Sequence, residues 1–448
     1  MPKHDPIAMS DTIVAPATPP GYGGIGVIRV AGPQVSMIID QVIRKNLPPR
    51  QATYVVFYDE TDQVIDEGIA IFFQSPNSFT GEDILELHTH GSPVVLDQLI
   101  QCMNSLGVRL ARPGEFSERA FLNGKMDLTQ AEAIADLITA SSKEAARSAI
   151  RSLQGQFSER IHALTEQIIQ LRMHIEASID FVDEPLQLMH DAHLQQSIKN
   201  IANCFTDLFT DARQGSLLTE GISVVIAGQP NVGKSSLLNA LTQKDCAIVT
   251  PIPGTTRDVM RERILLDGMP MRLIDTAGLR DSDDLVEQEG IRRAYQEIEQ
   301  ADLLLYVFTD EIPDIHLDGY QGEILFIQNK IDLCGKAPYT AQKNHKTIVG
   351  ISARFNLGLD QLKQTIREII GFKPQTEGMF TARRRHLALL EHAKDHVDHC
   401  QMQLAKGEWS ELAAEDLRLA QLALNEIIGA FTSDDLLGRI FAEFCIGK

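Results

Sequence analysis

The feature that most constrains the fold of this 448-residue chain is one short motif near its centre. Residues 228–235, GQPNVGKS, fit the pattern G-x-x-x-x-G-K-[ST]. They follow the apolar run ISVVIAG and precede the helix-like SSLLNALT, which is the strand–loop–helix order of a P-loop. Main-chain N–H groups and a helix N-terminus can bind phosphates there. The predicted nucleotide-binding residues are Asn231, Val232, Gly233, Lys234, Ser235 and Ser236, with Lys234 on the β- and γ-phosphates and Ser235 on Mg²⁺.

Three later motifs indicate which nucleotide binds. Asp275-Thr276-Ala277-Gly278 ends the apolar run MRLID and is expected to bring a carboxylate near Mg²⁺ and a glycine near the γ-phosphate. Asn329-Lys330-Ile331-Asp332 ends another apolar run. Its aspartate can accept hydrogen bonds from the ring N–H and the amino group of guanine, a pattern that adenine lacks. Ser352-Ala353 is expected to support the base from the other side. These motifs, in this order, predict GTP and not ATP.

The segment between the first two motifs is expected to contact the γ-phosphate and to be released on hydrolysis. Its predicted nucleotide-binding residues are Thr250, Pro251, Ile252, Pro253, Gly254, Thr255 and Thr256. Thr256 is the candidate Mg²⁺ ligand, and Thr255 is the competing assignment.

The residue that orients the attacking water is not evident from the motifs. Leu279 follows Gly278, where Ras-type GTPases place a glutamine for this purpose. The side chain of leucine cannot donate or accept a hydrogen bond, so another group must act. Residues 280–289, RDSDDLVEQE, are rich in acids, any of which could orient the water. The alternative is a solvated switch helix, and the residues alone do not choose.

The periodicity of apolar residues predicts a multidomain protein with α/β and α parts. Residues 12–120 are typical of a mixed α/β domain, with short β-rich runs. From 126 to 213 the pattern is helical, and an apolar stripe from Leu153 to Ile179 predicts one long helix with a buried face. Over 216–373 apolar strands alternate with helices, as in a parallel sheet covered on both faces. Because the helical pattern then returns, we expect the α/β unit to be inserted into one helical domain, whose two segments must touch.

The composition excludes several classes of protein. Lys+Arg is 41 and Asp+Glu is 61, so the net charge of −20 argues against a protein that coats nucleic acid through its global charge. No apolar run approaches the ~18 residues that a membrane span requires. The proline-containing N-terminus lacks the apolar core of a secretory signal. The six cysteines form no C-x-x-C pair, so reduced thiols and a cytoplasmic location are expected.

Nearly the whole chain resembles the bacterial tRNA modification GTPases of the MnmE/TrmE type. The resemblance rests on PNSFTGEDILELHTHG, RPGEFSERAFLNGKMDL, the nucleotide motifs, GTTRD in the loop and the terminal FCIGK. It implies an N-terminal α+β domain over 1–124 that binds tetrahydrofolate and dimerises. It also implies a discontinuous helical domain over 125–215 and 376–448, the second part with the terminal CIGK. Between them it implies an inserted Ras-like P-loop GTPase domain over 216–375.

The resemblance further implies a homodimer whose GTPase domains pair when K⁺ is bound. The cation would take the place of an arginine finger and neutralise charge in the transition state. Its implied ligands are Asn231, Thr250, Ile252 and Thr255, largely through main-chain carbonyls. The water-orienting acid of the family aligns with Glu287.

In the N-terminal domain, the resemblance implies a site for a tetrahydrofolate one-carbon carrier, in its 5,10-methylene or 5-formyl form. The matching residues are Arg29, Glu86, Lys125 and Lys448. A glutamate can pair with the amino and ring N–H groups of the pterin, and cations suit the folate carboxylates. Cys445 lies in the terminal motif, where it is either a chemical group of the modification reaction or a small buried thiol beside Phe444.

The reaction implied is the addition of an aminomethyl or carboxymethylaminomethyl group to carbon 5 of the wobble uridine of certain tRNAs. A flavin-dependent protein of the MnmG/GidA type would act with this chain in a heterotetrameric or larger complex. The competing hypothesis is a ribosome-assembly GTPase of the Era/EngA kind, which shares the loop motifs. That class does not need an N-terminal folate domain and usually carries a basic RNA-binding module.

Three further patterns have ordinary explanations. Residues 21–26, GYGGIG, spell a dinucleotide-binding motif but precede a strand where that motif should follow one. His88 and His90 have no third ligand nearby in sequence and are expected at a strand end. The basic cluster at residues 383–386 is interpreted either as a tRNA phosphate contact or as a solvated helix start.

Overall fold

The computed structural model describes two compact units. The described residues are 11–180, 192–244, 261–275, 298–313, 320, 322–373, 379–405, 411–430, 434–442, 444 and 447. Unit 1 draws on 1–135, 153–169 and 418–448, and unit 2 on 136–152 and 170–417. The boundaries of the four sequence segments remain predictions.

Unit 1 is built on a six-stranded sheet. Its strands are β1 (Ile13–Pro16), β2 (Gly23–Ala31), β3 (Thr53–Tyr58), β4 (Val64–Phe73), β5 (Ile84–Gly91) and β6 (Arg109–Leu110). They are ordered β3-β4-β5-β2-β1-β6. Only the pairing of β1 with β6 is parallel among these strands. Residues 23–26 belong to β2 itself, so the prediction that this motif leads into a strand and not into a helix is confirmed.

Helices complete unit 1 and continue into unit 2. They are α1 (Val35–Ile38), extended by a π-turn over Ile39–Ile43, α2 (Pro93–Ser105), α3 (Glu115–Leu122), α4 (Leu128–Thr139), α5 (Lys143–Leu153) and α6 (Gln156–Asp180). Alternate residues of β2 and β5 are buried, and Leu99 and Met103 of α2 pack in the same core. This alternation is the signature of a sheet with one face covered.

The apolar stripe over Leu153–Ile179 lies on two helices and not on one. Leu153 ends α5, and Gly155 adopts a φ of +90° before α6 begins. A left-handed residue interrupts the helical hydrogen bonds, and glycine takes that conformation at little cost. Within α6 the prediction of a buried face is confirmed, because Phe157, Ile161, Leu164, Ile168, Leu171 and Ile175 are all buried.

Unit 2 contains a seven-stranded sheet. Its strands are β7 (Ile222–Gly228), β8 (Arg261–Leu266), β9 (Met269–Asp275), β10 (Leu303–Phe308), β11 (Glu323–Gln328), β12 (Tyr339–Lys343) and β13 (Lys346–Gly350). They are ordered β12-β13-β11-β10-β7-β9-β8, with parallel central strands and an antiparallel strand at each edge. The predicted parallel sheet is confirmed.

The remaining α-helices of the described residues are α7 (Ala192–Thr219), α8 (Lys234–Lys244), α9 (Leu359–Ile370), α10 (Arg384–Ala405), α11 (Glu411–Ile428) and α12 (Asp434–Ala442). Among the helices of the described segments, none is long and apolar enough to cross a membrane.

Helix α7, which precedes the sheet, packs against the chain that follows it. The side-chain amide of Gln214 donates to the Gly371 carbonyl oxygen at 2.8 Å and accepts from the Lys373 N–H at 2.9 Å. At Gly215 a Cβ atom would lie 2.0 Å from the Phe380 carbonyl oxygen, so only glycine permits this approach. Helix α7 also contacts α10. The two helical segments therefore touch, which is the condition that the insertion hypothesis sets.

Candidate functional site

Three nucleotide motifs and Asp275, the first residue of the fourth, lie at one edge of the seven-stranded sheet. The registers pair Ile226 with Asp275, Val307 with Gly228, and Gln328 with Phe308. The carboxyl ends of β7, β9, β10 and β11 thus lie side by side, and Gly350 at the end of β13 pairs with Gln328 of β11. The motifs begin at the ends of β7, β9, β11 and β13. Ligands of open parallel sheets bind outside such carboxyl ends, where the strand order reverses.

The P-loop backbone explains why its glycines are required. Gly228 has a φ of +147°, and a Cβ atom there would lie 2.2 Å from the Val307 carbonyl oxygen. Gly233 has a φ of +98°, and its Cβ would lie 2.3 Å from Nδ2 of Asn329. Asn231 occupies the left-handed region at a φ of +65°, which asparagine tolerates better than most residues. The loop is a close-fitting main-chain turn at the start of α8.

Lys234 extends its ammonium group back over this turn. Its Nζ donates to the carbonyl oxygens of Gly228 at 2.9 Å and Gln229 at 3.1 Å. Ser235 and Ser236 are exposed in the first turn of α8, where N–H groups lack helical partners. An ammonium ion and a helix N-terminus therefore face the same space, which suits a polyphosphate.

Asn329 connects the P-loop to the base-reading motif. Its Nδ2 donates to the Val232 carbonyl oxygen at 2.8 Å, and its Oδ1 accepts from the Ala353 N–H at 3.0 Å. Lys330 reaches the same loop, because its Nζ donates to the Asn231 carbonyl oxygen at 2.6 Å. Asn329 is buried, so these bonds are shielded from water. Hydrogen bonds thus join the P-loop, the motif at 329–332 and the motif at 352–353 to one another.

Asp332 is oriented by the last motif. The hydroxyl of Ser352, which is fully buried, donates to Oδ1 of Asp332 at 2.5 Å. The Asp332 side chain itself remains partly exposed. A carboxylate fixed by one hydrogen bond and open to solvent on its other side can accept the two N–H groups of guanine.

Several predicted nucleotide residues lie outside the described residues. They are Thr250, Pro251, Ile252, Pro253, Gly254, Thr255, Thr256, Thr276, Ala277, Gly278 and Glu287. For Asp275 the structure describes the backbone but not the side chain. The assignments of Thr256 or Thr255 to Mg²⁺ stay predictions.

A second cluster of candidate residues lies in unit 1, where Arg29 of β2 faces Glu86 of β5. The guanidinium Nε and Nη2 donate to Oε1 of Glu86 at 3.0 and 2.8 Å. Nη1 donates to the Gly447 carbonyl oxygen at 3.4 Å, which brings the chain terminus to the cluster. Gly447 is itself closely packed, because a Cβ there would lie 2.1 Å from the Pro16 carbonyl oxygen. Lys448 and Cys445 lie outside the described residues.

The loop before β5 joins the third candidate to this cluster. Lys125 donates to the Pro76 carbonyl oxygen at 2.8 Å, and its side chain runs along Gly81. Between these positions, the Phe79 ring lies 5.6 Å from the Arg29 guanidinium carbon. The Phe116 ring lies 5.7 Å from the same carbon. Arg29, Glu86 and Lys125 are therefore assembled around one loop.

The two phenylalanines are residues that sequence reasoning missed. Both lie in stretches noted for their family resemblance, PNSFTGEDILELHTHG and RPGEFSERAFLNGKMDL. An aromatic residue in such a stretch is not distinguishable by pattern from core. Their contacts with Arg29 become visible only once the strands are paired.

Arg119 anchors an ion network at the base of unit 1. Its side chain is fully buried, and Nη2 donates to Oδ1 of Asp11 at 2.9 Å and to Oε1 of Glu115 at 3.1 Å. Nη1 donates to Oε1 of Glu82 at 3.2 Å. Arg109 reaches Glu115 as well, at 2.6 Å.

The network shifts the pKa values of two of its acids. Burial raises the pKa of Glu82 above its usual range. For Glu115 the effect of burial is outweighed by the hydrogen bonds of Arg109, the Arg112 N–H and Arg119, and its pKa is lowered.

The two histidines that the sequence analysis did not assign to a metal each contact a carboxylate. His88 lies 3.4 Å from Oε2 of Glu86, and Nδ1 of His90 lies 2.8 Å from Oδ1 of Asp66. Both histidines are on β5, as expected.

The basic cluster at residues 383–386 makes contacts within unit 2, and its contact with tRNA phosphates stays a prediction. Arg383 donates to Asp136 at 2.8 Å, and Arg384 donates to both oxygens of Asp302. His386 is buried, and its Nδ1 accepts from the Arg383 N–H at 3.0 Å. These residues form internal contacts of unit 2, so they are not simply a solvated helix start.

Comparisons with known proteins identify the family of the chain. The model of the MnmE helical domain matches residues 128–445, and that of the GTP-binding protein TrmE N-terminus matches 12–125. The tRNA modification GTPase MnmE of Histophilus somni (strain 129Pt) is 50% identical, covering 98% of this chain and 99% of the relative. The protein of that name from Proteus mirabilis (strain HI4320) is 51% identical, with the same coverage of 98% and 99%.

Among solved structures, Era of Aquifex aeolicus bound to GDP and AlF4⁻ is 25% identical, covers 39% of this chain and 66% of that chain, and has a TM-score of 0.27. That score is too low to carry a structural conclusion. The matches to the N-terminal and helical domains and the identity over nearly the full length decide the family. The chain belongs to the family of tRNA modification GTPases of the MnmE type.

Proposed function

We propose that this chain is a GTP hydrolase that drives modification of carbon 5 of the wobble uridine in certain tRNAs. The observation that carries the proposal is the braced motif edge of unit 2, in which Asn329 and Lys330 bind the P-loop and Ser352 orients Asp332. A GTPase must hold its phosphate-binding loop and its base-binding residues at a fixed distance from each other. These hydrogen bonds connect the two. The tRNA substrate comes from the names of the relatives, which are tRNA modification GTPases.

The test is mass spectrometry of wobble uridines from a strain that lacks the gene, with and without the restored gene. Loss of the carboxymethylaminomethyl or aminomethyl group, and its return with the wild-type gene, is the expected result. Normal uridine modification together with accumulation of ribosomal subunits would favour the Era-like alternative. A strain restored with the Lys234→Ala variant is the matched control, because it separates GTP-dependent function from presence of the protein.

We propose that the nucleotide site binds two cations. Ser235, with a threonine of the 250–256 loop, would hold Mg²⁺, whose oxygen preference matches hydroxyl and phosphate ligands. K⁺ would bind through Asn231 and the carbonyls of Thr250, Ile252 and Thr255, and when bound it would supply positive charge beside the phosphates. Asn231 is exposed at the outer turn of the P-loop, so its side chain is accessible for this role. Hydrolysis in K⁺ and in Na⁺ at equal ionic strength tests the cation, and equal rates would exclude it.

We expect the Glu287→Ala variant to bind GTP with unchanged affinity and to lose most of its hydrolysis. Leu279 cannot orient water, and a general base contributes at least about a hundredfold to such a step. Single-turnover hydrolysis in K⁺ buffer measures the effect, with fluorescent-nucleotide binding as the control. Turnover equal to that of the wild type would remove Glu287 from the reaction.

The Arg29 cluster is proposed to bind a tetrahydrofolate one-carbon carrier. The residues fit, because Glu86 offers a partly buried carboxylate to the pterin N–H groups and Phe79 and Phe116 supply flat apolar surfaces beside it. Arg29, Lys125 and the terminal Lys448 are cations suited to folate carboxylates. The carrier would supply the carbon, while these side chains bind and orient it. GTP hydrolysis would drive rearrangement of the complex of two copies of this chain with a flavin-dependent MnmG/GidA-type partner, and Cys445 remains a candidate chemical group.

We expect Glu86→Gln to weaken 5-formyltetrahydrofolate binding by roughly tenfold or more, since one charge-assisted hydrogen bond contributes about 1.5–3 kcal/mol. Isothermal titration of the full chain measures it. His90→Gln, on the same strand but paired with Asp66, is the matched control and should bind normally. Equal losses in the two variants would indicate a general disturbance of β5 and would contradict the assignment.

A further inference from the structure

The helical part of unit 2 brings two histidines and an aspartate together at its surface. His396 and His399 lie one turn apart on α10, and Asp416 lies on α11. One ligand atom from each of these side chains falls within 4.8 Å of the other two. The set shares no residue with the nucleotide motifs or with the Arg29 cluster.

The contacts within this set orient the carboxylate for a ligand. Nδ1 of His396 lies 2.9 Å from Oδ1 of Asp416, and Nε2 of Gln403 donates to Oδ2 of Asp416 at 3.0 Å. His396, His399 and Gln403 follow the i, i+3, i+7 spacing and therefore share one face of α10. A hydrogen bond from an outer side chain to a ligating carboxylate is the usual way in which a metal site is fixed.

The chemistry of the three donors selects the metal. Two imidazoles and one carboxylate match the ligands that Zn²⁺ takes in sites with three protein ligands. Ligand atoms at about 2.1 Å from a tetrahedral zinc ion are roughly 3.4 Å apart, so a small movement of these side chains suffices. The His399 side chain is exposed, which leaves the fourth position to water.

We propose that His396, His399 and Asp416 form a binding site for a first-row divalent cation, Zn²⁺ foremost, that links α10 to α11. Metal binding would replace the contact between Nδ1 of His396 and Oδ1 of Asp416, because both atoms would then coordinate the ion. The ion then replaces one hydrogen bond by three coordinate bonds between two helices.

The experiment is a titration of the full, chelator-treated chain with Zn²⁺ against a chromogenic chelator. The expected result is one equivalent bound by the wild type and a loss of affinity of at least tenfold in His399→Ala. Gln403→Leu should lose roughly 10- to 100-fold through the outer hydrogen bond. His392→Ala is the matched control, since His392 is exposed on α10 one turn before His396 and lies outside the set.

Two readouts separate this site from the cysteines and from the Mg²⁺ site. Added Zn²⁺ should raise the thermal midpoint of the wild type and of His392→Ala but not that of His399→Ala. Co²⁺ used as a probe should give a visible spectrum of nitrogen and oxygen ligands without thiolate bands. Equal Zn²⁺ affinity in the wild type and His399→Ala, or an equal loss in His392→Ala, would overturn the proposal.

Discussion

The Asp332→Asn variant should lose GTP affinity by roughly 10²- to 10⁴-fold and gain affinity for xanthosine triphosphate. Two hydrogen bonds from guanine to the carboxylate contribute about 1.5–3 kcal/mol each, and about 1.4 kcal/mol corresponds to tenfold. In the variant, the side-chain oxygen of Asn still accepts the hydrogen bond from the Ser352 hydroxyl, while the new amide N–H₂ group faces the base. That group repels the guanine amino group but donates to the 2-oxo group of xanthine. Equilibrium competition between GTP and xanthosine triphosphate measures this change in relative affinity.

The control for this substitution is Asp360→Asn. Asp360 is an exposed acid at the start of α9 in the same unit, and its replacement changes the formal charge equally. It should leave the preference for GTP unaltered. If Asp332→Asn weakened GTP and xanthosine triphosphate alike, the carboxylate would be a structural brace and not the reader of the base.

Replacing Arg119 by methionine should destabilise unit 1 by about 3–5 kcal/mol. Removing one partner of a buried ion pair leaves the remaining charges without compensation, which is the costly case. Here the acids of Asp11, Glu82 and Glu115 would lose a fully buried guanidinium. Native-state hydrogen exchange of amides in β5 and α3 reports this unit separately from the rest of the chain.

Arg112→Met is the control for the loss of one arginine next to the same acids. Arg112 contacts Glu118 at 2.9 Å and Glu115 at 3.6 Å, but its side chain is 57% exposed. An exposed pair contributes about 0–1 kcal/mol, so a small effect is expected. Similar losses in both variants would show that the network is not buried in solution.

The same network predicts how acid affects unit 1. The folded-state pKa of Glu115 lies below its ordinary value of 4.5, so its ionic stabilisation is fully present above that pH. It is lost as the pH falls through the lowered value. Glu82 has the opposite effect on stability. Burial raises its pKa, so its contribution to the stability of unit 1 increases as the pH falls and the carboxyl group becomes protonated. The acid sensitivity carried by Glu115 should diminish in Arg119→Met.

The sequence predicted best what depends on neighbours along the chain. GQPNVGKS between an apolar run and a helix-like run could be assigned because strand, turn and helix are adjacent. The brace by Asn329 could not, because its bond to Val232 joins residues 97 apart. The role of Arg119 was also hidden, since arginine is seldom fully buried and its three acids come from separate segments. Leu153 was misplaced because one glycine after it interrupts an otherwise continuous apolar period.

The contact set of Gln214 and Gly215 has a mechanical consequence. Gln214 ties α7 to the segment that leaves the last helix of the sheet, and Gly215 brings the α7 backbone against Phe380. Nearby, Arg384 at the start of α10 grips Asp302 beside β10. The segments that enter and leave the seven-stranded sheet are thus held to each other and to the residue before β10 by these contacts. Because α7 and α10 also contact each other, a displacement of the sheet relative to one of these helices would have to be accommodated by the other.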